Sequence, residues 1–292
     1  MQQLLILSGK GGTGKTTVAG AFIKLSGAKA VADCDVEAPN LHLLMKCNEP
    51  PMYHAYFGMP KAVIDPEKCI SCGACYDHCR FDAIAKGDPY IVHSYHCEGC
   101  GVCDIVCSVH AVSFQPAAAG RLCLFLGNRV FSTAQLDIGN GTSGKLVTEV
   151  KKQMVTHVDD DIIPLAIIDG SPGIGCPVIA SLSGADMVLI VAEPSVSGIS
   201  DMKRIIQTTK LFHRPMAVCI NKYDMNKEKS KEIEIFCRLN YISFVGRIPY
   251  DTEAVIAANS GLSIIDMDCP SGRAVQLIFK ETIKLLFAAD LT

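Results

Sequence analysis

The chain has no excess of positive charge and no long apolar run, and both absences narrow the range of its possible functions. Its 292 residues include 27 Lys and Arg against 30 Asp and Glu, which gives a formal net charge of −3. No general basic field is therefore available, and no nucleic-acid partner is expected. No apolar run reaches the ~18 residues of a membrane-spanning helix, and the run at Leu4–Leu7 is too short for a signal peptide. We expect a cytoplasmic protein without stable membrane insertion.

Disulfide bonds are not expected either, although the sequence has 15 cysteines. The cytosol keeps thiols reduced, so this number of cysteines requires another explanation. Eight of them form two regularly spaced rows. The other seven are scattered, and most of these are expected to be buried thiols because free cysteine behaves as a small hydrophobe. The scattered ones are Cys34, Cys47, Cys123, Cys176, Cys219, Cys237 and Cys269.

Outside the cysteine rows, apolar strands alternate with amphipathic helices. Hydrophobic residues make up 49% of the chain, enough for a sizeable core. Continuous apolar strands separated by helices predict an α/β fold with a mostly parallel sheet covered on both faces. Two strand-like runs flank Gly127-Asn128 and predict a hairpin. From about Pro60 to Gln115 the chain is instead rich in Cys, Gly and Asp, which predicts a small domain inserted between residues 1–59 and 116–292.

A glycine-rich loop, "SGKGGTGKTT", follows the first strand. Its Gly9-x-x-x-x-Gly14-Lys15-Thr16 pattern is that of a phosphate-binding loop, and it stands between a strand and a helix as such loops do. Backbone N–H groups and the helix dipole would bind phosphate, Lys15 would contact the β- and γ-phosphates, and Thr16 would bind Mg²⁺. We therefore predict that ATP or ADP binds with Mg²⁺. The predicted phosphate-binding residues are Gly9, Lys10, Gly11, Gly12, Thr13, Gly14, Lys15, Thr16 and Thr17.

Three acidic residues follow strands and belong at the same edge of the sheet. Asp169 ends the run "LAIID", and Asp33 and Asp35 end the second strand. Ligands of α/β sheets bind at the carboxyl ends of the strands. Asp169 would hold Mg²⁺ through water, while Asp33 and Asp35 are further magnesium candidates. Asp35 is the better candidate to orient the attacking water, and the alternative for both is a solvated loop carboxylate.

The segments "KGGTGKTT", "DCD" and "IIDGSPG" resemble the deviant Walker A ATPases (SIMIBI class), the group of MinD, ParA, the nitrogenase iron protein and the Mrp scaffold proteins. The resemblance covers nearly the whole chain outside Pro60–Gln115 and implies a P-loop ATPase that forms a homodimer on binding ATP. In this family the additional lysine of the loop, here Lys10, contacts the nucleotide of the other subunit. Charge that develops in phosphoryl transfer would then be neutralised only in the dimer.

The same resemblance indicates a base-binding site. Asn221 in "CINKYD" would hydrogen-bond adenine, and Pro249 and Asp251 in "IPYD" would lie near adenine and ribose. The alternative is that these are structural turn residues at strand ends.

The two cysteine rows are Cys-x-x-Cys-x-x-Cys-x-x-x-Cys repeated, the run of bacterial ferredoxins. In that run the fourth cysteine ligates the other cluster, which implies two [4Fe–4S] clusters. One would be held by Cys69, Cys72, Cys75 and Cys107, and the other by Cys79, Cys97, Cys100 and Cys103. Zinc is the alternative, but zinc sites usually separate two Cys pairs by a dozen residues or more. The proline that commonly follows the fourth cysteine is replaced here by Arg80 and Ser108.

The resemblance to a MinD- or Mrp-type ATPase with an inserted two-cluster ferredoxin domain leaves three alternative functions. The first is a nucleotide-dependent dimer switch coupled to electron transfer through the clusters to a partner protein. The second is assembly or delivery of Fe–S or other metal cofactors, although the C-terminal Cys-x-x-Cys of Mrp relatives is not found. The third is cell division or DNA partitioning, which is ranked last because the final predicted helix is only weakly basic.

Overall fold

The structure is a computed structural model that describes residues 1–45, 47, 49–141, 143–158 and 163–288. Its strands are β1 (Gln2–Leu7), β2 (Ala30–Asp33), β3 (Met52–Phe57), β4 (Lys61–Ile64), β5 (Ile84–Ala85), β6 (Ile91–Val92), β7 (Val112–Gln115), β8 (Ala118–Phe125), β9 (Val130–Leu136), β10 (Leu165–Asp169), β11 (Met187–Ala192), β12 (Met216–Asn221) and β13 (Ser243–Ile248). Its helices are α1 (Lys15–Ser26), α2 (His42–Met45), α3 (Ala74–His78), α4 (Val102–Ile105), α5 (Ser143–Thr156), α6 (Cys176–Leu182), α7 (Val196–Leu211), α8 (Lys227–Leu239), α9 (Thr252–Asn259) and α10 (Pro270–Ala288).

Nine strands form the central sheet, in the order β13-β12-β11-β1-β10-β2-β9-β8-β3. Pairing is parallel from β13 to β9, as continuous apolar strands predict. Alternate residues of β1 face opposite layers: Leu5 and Leu7 pack with α5, α6, α7 and α8, whereas Leu4 and Ile6 pack with α1 and α10. The sheet is therefore buried between two helical layers. The predicted phosphate-site residues lie at the carboxyl ends of its strands β1, β2 and β10.

The predicted hairpin is confirmed, and it extends the central sheet. Strands β8 and β9 pair antiparallel, with Phe125 opposite Phe131. Strand β3, which sequence patterning did not identify, pairs antiparallel with β8 and forms the sheet edge. The central sheet is therefore mostly parallel, with antiparallel pairing confined to one side.

Residues 61–115 form two separate two-stranded sheets, β4 with β7 and β5 with β6, together with the short helices α3 and α4. Their buried side chains form a small cluster of their own: Ala62, Ala83, Cys97 and Val112. Such a core is far smaller than either layer of the central sheet, so side chains alone contribute little burial energy to this segment.

Most of the scattered cysteines are buried, as predicted. Cys34, Cys123, Cys219, Cys237 and Cys269 lie in the interior, whereas Cys47 is half-buried and Cys176 is exposed. Within the described ranges, no helix is both long enough and apolar enough to cross a membrane.

Candidate functional site

A cavity of about 560 Å³ opens where β1 and β2 end at their carboxyl edge. It is lined by the glycine-rich loop from Lys10 to Thr17, by Ser8, and by Asp35, Glu37, Ala38, Asn40 and Pro172. Gly12 and Gly14 have φ angles of +78° and +89°, a conformation that favours glycine. Gly9 packs against Asp201 of α7, and Gly11 lies in open space. The structure thus places the predicted loop around one open cavity.

Lys15 is buried at the floor of the loop and pairs with Asp169. Its Nζ lies 2.5 Å from Oδ1 of Asp169, and the two side chains are only 5% and 0% exposed. Burial by itself would lower the pKa of Lys15, but the carboxylates of Asp169, Asp33 and Asp35 together outweigh it and raise that pKa above its ordinary value. The ammonium group is therefore held charged at the position where a phosphate oxygen would compete with Asp169 for it.

Two buried oxygens at this floor have no hydrogen-bond partner among the described residues, Oδ2 of Asp169 and Oγ1 of Thr13. Buried polar atoms are normally satisfied, so such orphans indicate that a ligand completes the site. Carboxylate and hydroxyl oxygens are donors that Mg²⁺ prefers, and the half-buried Thr16 lines the adjacent phosphate cavity.

Asp33 is completely buried and organises the loop that follows β2. Its Oδ1 accepts the N–H of Asp35 at 3.0 Å, and its Oδ2 accepts the N–H groups of Asn40 at 3.1 Å and Leu41 at 3.0 Å. Burial raises the pKa of Asp33 to about 7, and the nearby Asp169 carboxylate adds to the effect. Both oxygens are therefore engaged in shaping the loop, and the predicted magnesium role of Asp33 stays a prediction.

Asp35, in contrast, lines the phosphate cavity. Burial raises the pKa of this carboxyl group, while the positive charge of Lys15 opposes the increase. A half-buried carboxyl group facing a phosphate cavity is suited to bind a water molecule or a hydrated metal ion.

Lys10, the additional lysine, turns away from the floor of its own loop. Its Nζ lies 3.0 Å from Oε2 of Glu193, 3.4 Å from Oγ of Ser195 and 3.3 Å from Oγ of Ser197. Its side chain is 35% exposed. Glu193 and Ser195 lie between β11 and α7, and Ser197 lies in the first turn of α7. Strand β11 is next to β1 in the sheet, and sequence analysis did not identify these partners. The sequence signal that could have identified Glu193 is its position directly after an apolar strand, β11, which lies next to β1.

A second cavity, of about 250 Å³, shares Gly12, Gly14 and Thr17 with the first. The predicted base-binding residues Asn221, Pro249 and Asp251 all line it, together with apolar groups such as Ile248 and Val255. An apolar cavity that shares lining residues with a phosphate site is suited to a nucleoside.

Two of these residues also have structural partners. Nδ2 of Asn221 donates to the carbonyl of Thr13 at 2.7 Å, and Nζ of the adjacent Lys222 donates to the carbonyl of Gly12 at 3.0 Å. Asp251 is the N-cap of α9, and its Oδ2 accepts two hydrogen bonds from Ser271. The end of β12 therefore braces the phosphate loop, and the role of Asp251 at a ribose stays a prediction.

The two cysteine rows surround two further cavities in the 61–115 segment. One cavity is lined by Cys69, Cys72, Cys75 and Cys107. The other is lined by Cys79, Cys97, Cys100 and Cys103. Each cavity thus contains three cysteines of one row and the fourth cysteine of the other, which is the exchange that the ferredoxin run implies.

Backbone N–H groups point at three of these sulfurs. Cys107 Sγ accepts from Ala111 at 3.2 Å, Cys79 Sγ from Ala83 at 3.4 Å and Cys97 Sγ from Ala62 at 3.5 Å. Among the described residues, no three His, Cys, Asp or Glu side chains come close enough to hold a single metal ion.

Comparison with known families agrees with the geometry of the phosphate site. Residues 4–264 match the CobQ/CobB/MinD/ParA nucleotide binding domain. The chain therefore belongs to this family of P-loop ATPases.

Three individual proteins are also similar to this chain, two in sequence and one in solved structure. An uncharacterized protein of Methanocaldococcus jannaschii is 32% identical over 229 residues, 77% of this chain and 80% of that protein. A protein named iron-sulfur cluster carrier protein, from the same organism, is 23% identical over 300 residues, 97% of this chain and 84% of that protein. The septum site-determining protein MinD of Pyrococcus horikoshii, solved with Mg-ADP, has 17% identity and a TM-score of 0.60, with 97% and 96% of the two chains covered. The last likeness establishes the fold.

Proposed function

We propose that this protein is an ATP-dependent iron–sulfur protein in which a nucleotide-driven homodimer controls electron transfer through two [4Fe–4S] clusters to a partner protein. The ATPase domain comprises residues 1–59 and 116–292, and residues 60–115 are an inserted ferredoxin-like domain. The observation that carries the proposal is the pair of cavities, each lined by four cysteines drawn from both rows.

The cysteine cavities fit the proposed clusters in donor chemistry and in number. A bound [4Fe–4S] cluster supplies one-electron transfer. The chain supplies four thiolates per cavity and backbone N–H donors to Cys79, Cys97 and Cys107. These donors stabilise negative charge on sulfur, which favours the reduced state. The small core of this segment also gives the clusters a structural role, since metal–ligand bonds supply folding energy where apolar burial is limited.

The phosphate cavity provides the groups that ATP hydrolysis requires. Water attacks the γ-phosphorus, the bond from that phosphorus to the β–γ bridging oxygen breaks, and ADP and phosphate leave. Asp35 orients the water, and Lys15 neutralises the phosphate oxygens. Thr16 and Asp169 would hold Mg²⁺, which would screen the charge of the β- and γ-phosphates.

Lys10 connects hydrolysis to the dimer. In the single chain its ammonium group forms an ion pair with Glu193 and donates hydrogen bonds to two serines. A partly exposed ion pair of this kind contributes only about 0–1 kcal/mol. Lys10 can therefore leave Glu193 at little cost and reach the nucleotide of a second subunit.

A second candidate function is the assembly or delivery of Fe–S clusters. It is favoured by the relatives named iron-sulfur cluster carrier protein and by the exposure of Cys72 and Cys100, one in each cavity. A cell-division or partitioning role has less support. The solved MinD and partition proteins are 12–18% identical to this chain and carry information on fold alone.

Electron paramagnetic resonance of anaerobically purified, dithionite-reduced protein tests the proposal. We expect two [4Fe–4S] signals whose shape or midpoint potential changes when ATP is added, without loss of iron. Transfer of iron to an apo-ferredoxin acceptor on addition of ATP would instead support delivery. Signals that are indifferent to the nucleotide, together with no transfer, would refute both functions.

A further inference from the structure

The two cysteine cavities differ in the charges beside them. The Cys97 cavity is lined by Cys79, Cys97, Cys100 and Cys103. The Cys69 cavity is lined by Cys69, Cys72, Cys75 and Cys107. We propose that Lys61 raises the reduction potential of the cluster in the Cys97 cavity above that of the cluster in the Cys69 cavity. The inference rests on the proposed function, because it gives electron transfer between the two clusters a direction.

Lys61 begins β4 and is fixed against Cys97. Its Nζ donates a hydrogen bond to the carbonyl of Cys97, and the residue is half-buried. The next residue, Ala62, donates its N–H to Sγ of the same cysteine at 3.5 Å. The preceding residue, Pro60, packs its carbonyl so closely against Gly99 that any Cβ there would clash. Three successive residues therefore hold the ammonium group of Lys61 beside a cluster ligand.

The charge of Lys61 acts where solvent screens it least. Cys97 is 7% exposed and is the only buried cysteine of the two rows. Burial alone disfavours the extra negative charge of a reduced cluster, and a cation beside the buried ligand offsets that penalty. The net charge around an iron–sulfur cluster is one of the factors that set its reduction potential. Lys61 is therefore expected to favour reduction in the Cys97 cavity.

Hydrogen bonds to sulfur act in the same direction as Lys61. Among the described residues, two sulfurs of the Cys97 cavity accept a backbone N–H, those of Cys79 and Cys97. In the Cys69 cavity one sulfur does so, that of Cys107. Such hydrogen bonds stabilise negative charge on sulfur and thereby raise the reduction potential. The cavity beside the cation thus also has the larger number of donors.

A charge of the opposite sign lies near the Cys69 cavity. Oγ of Ser71, the residue before Cys72, donates to Oδ1 of Asp88 at 2.5 Å. This hydrogen bond holds a carboxylate next to the residue that precedes a cluster ligand. A nearby negative charge disfavours the addition of an electron, so Asp88 widens the difference between the two cavities.

The remaining charges that we compared are compensated or screened. Lys68, beside the first row, pairs with Asp65, with its Nζ 3.3 Å from Oδ2. Glu98 lines the Cys97 cavity and opposes Lys61. Glu98 and Asp88 are both exposed, so solvent and salt weaken their effects. The half-buried Lys61 is therefore expected to make the main difference.

The consequence is a direction for the electron. One electron leaves the cluster in the Cys69 cavity, which is oxidised, and reduces the cluster in the Cys97 cavity. No bond breaks and no proton is transferred. Gly99 lines the Cys97 cavity and packs against Pro60, so this cavity lies beside the start of the 60–115 segment. The electron therefore settles at the cluster next to the junction with residues 1–59.

A redox titration of the anaerobically purified holoprotein, followed by electron paramagnetic resonance, tests this order. Cys100→Ser and Cys72→Ser assign each signal to its cavity, and in the wild type we expect the signal of the Cys97 cavity to have the higher midpoint potential. In Lys61→Met that potential should fall by about 59 mV, a tenfold change in a one-electron equilibrium, while the other changes much less. Lys61→Arg, which keeps the charge, should retain the wild-type value, and Lys68→Met is the matched control.

A wild type in which the signal of the Cys97 cavity has the lower potential would overturn the proposal, whether or not Lys61→Met retains its iron. Unchanged potentials in an iron-replete Lys61→Met, or equal shifts of both signals, would overturn it as well. A wild type without iron, or with signals that are indifferent to ATP, would instead contradict the proposed function. Iron content and the response to ATP are measured separately from the order of the potentials, so the two failures are distinguishable.

Discussion

At the scale of single residues, two lysines of one loop have opposite environments. Lys15 is buried against Asp169, whereas Lys10 is partly exposed and paired with Glu193. The sequence spacing distinguishes their positions in the motif, but not their partners. Because the loop turns through Gly12 and Gly14, the side chain before the turn and the one after it point to different surroundings.

Replacing Lys10 tests its proposed role across the dimer. In Lys10→Ala we expect ATP turnover to fall by about 10²- to 10³-fold, because a group that neutralises transition-state charge is removed. ATP affinity should be nearly unchanged, since Lys15 and the loop N–H groups remain. Turnover and equilibrium nucleotide binding are the measurements, and Lys24→Ala, on the outer part of α1, is the control. Wild-type turnover in Lys10→Ala would refute the cross-subunit role.

At the scale of secondary-structure elements, the phosphate loop depends on a neighbouring strand. The loop joins β1 to α1, yet its carbonyl groups at Gly12 and Thr13 accept hydrogen bonds from Lys222 and Asn221 at the end of β12. A Cβ added at Gly14 would lie 2.2 Å from Nδ2 of Asn221. The position of this loop is therefore determined partly by a residue 208 positions away along the chain.

Removing this brace should loosen the loop. In Asn221→Ala we expect ATP to bind about 5- to 30-fold more weakly, which corresponds to the roughly 1–2 kcal/mol of a lost, partly buried hydrogen bond. Isothermal titration calorimetry measures the effect, and Asn240→Ala at the end of α8 is the control. Unchanged affinity in Asn221→Ala would show that the brace contributes nothing to nucleotide binding.

At the scale of the whole molecule, the two cysteine rows are interdependent. Cys79 lies with the second row and Cys107 with the first, so neither cavity is complete without both segments. The pairing of β4 with β7, from opposite ends of the segment, brings the rows together.

This exchange predicts which cluster each substitution removes. Cys79→Ser should abolish the same paramagnetic signal as Cys100→Ser and leave the signal that Cys72→Ser abolishes. Each variant should lose about four of about eight iron atoms per chain. Iron analysis and electron paramagnetic resonance provide the measurements, and Cys176→Ser, outside both cavities, is the control. If Cys79→Ser matched Cys72→Ser instead, the rows would not exchange their fourth cysteines.

Much of this protein follows from its sequence, because the patterns concerned are local or strongly periodic. The apolar runs predicted the parallel sheet, and Gly127-Asn128 predicted the β8–β9 hairpin. The phosphate loop and the candidate sulfur ligands could be predicted because their chemistry requires fixed residue types at short spacing. Strand β3 was missed because its side chains are mostly exposed and it carries no clear apolar pattern.

Only the tertiary structure determined how distant residues act on these motifs. It placed Glu193 beside Lys10, engaged both oxygens of Asp33 in its own loop and brought Gly144 against Cys176. None of these contacts has a spacing rule, since each joins segments that come together only when the sheet and its two helical layers pack. Residue chemistry is a property of the sequence, whereas the choice of partner depends on which chain segments packing brings within a few ångströms.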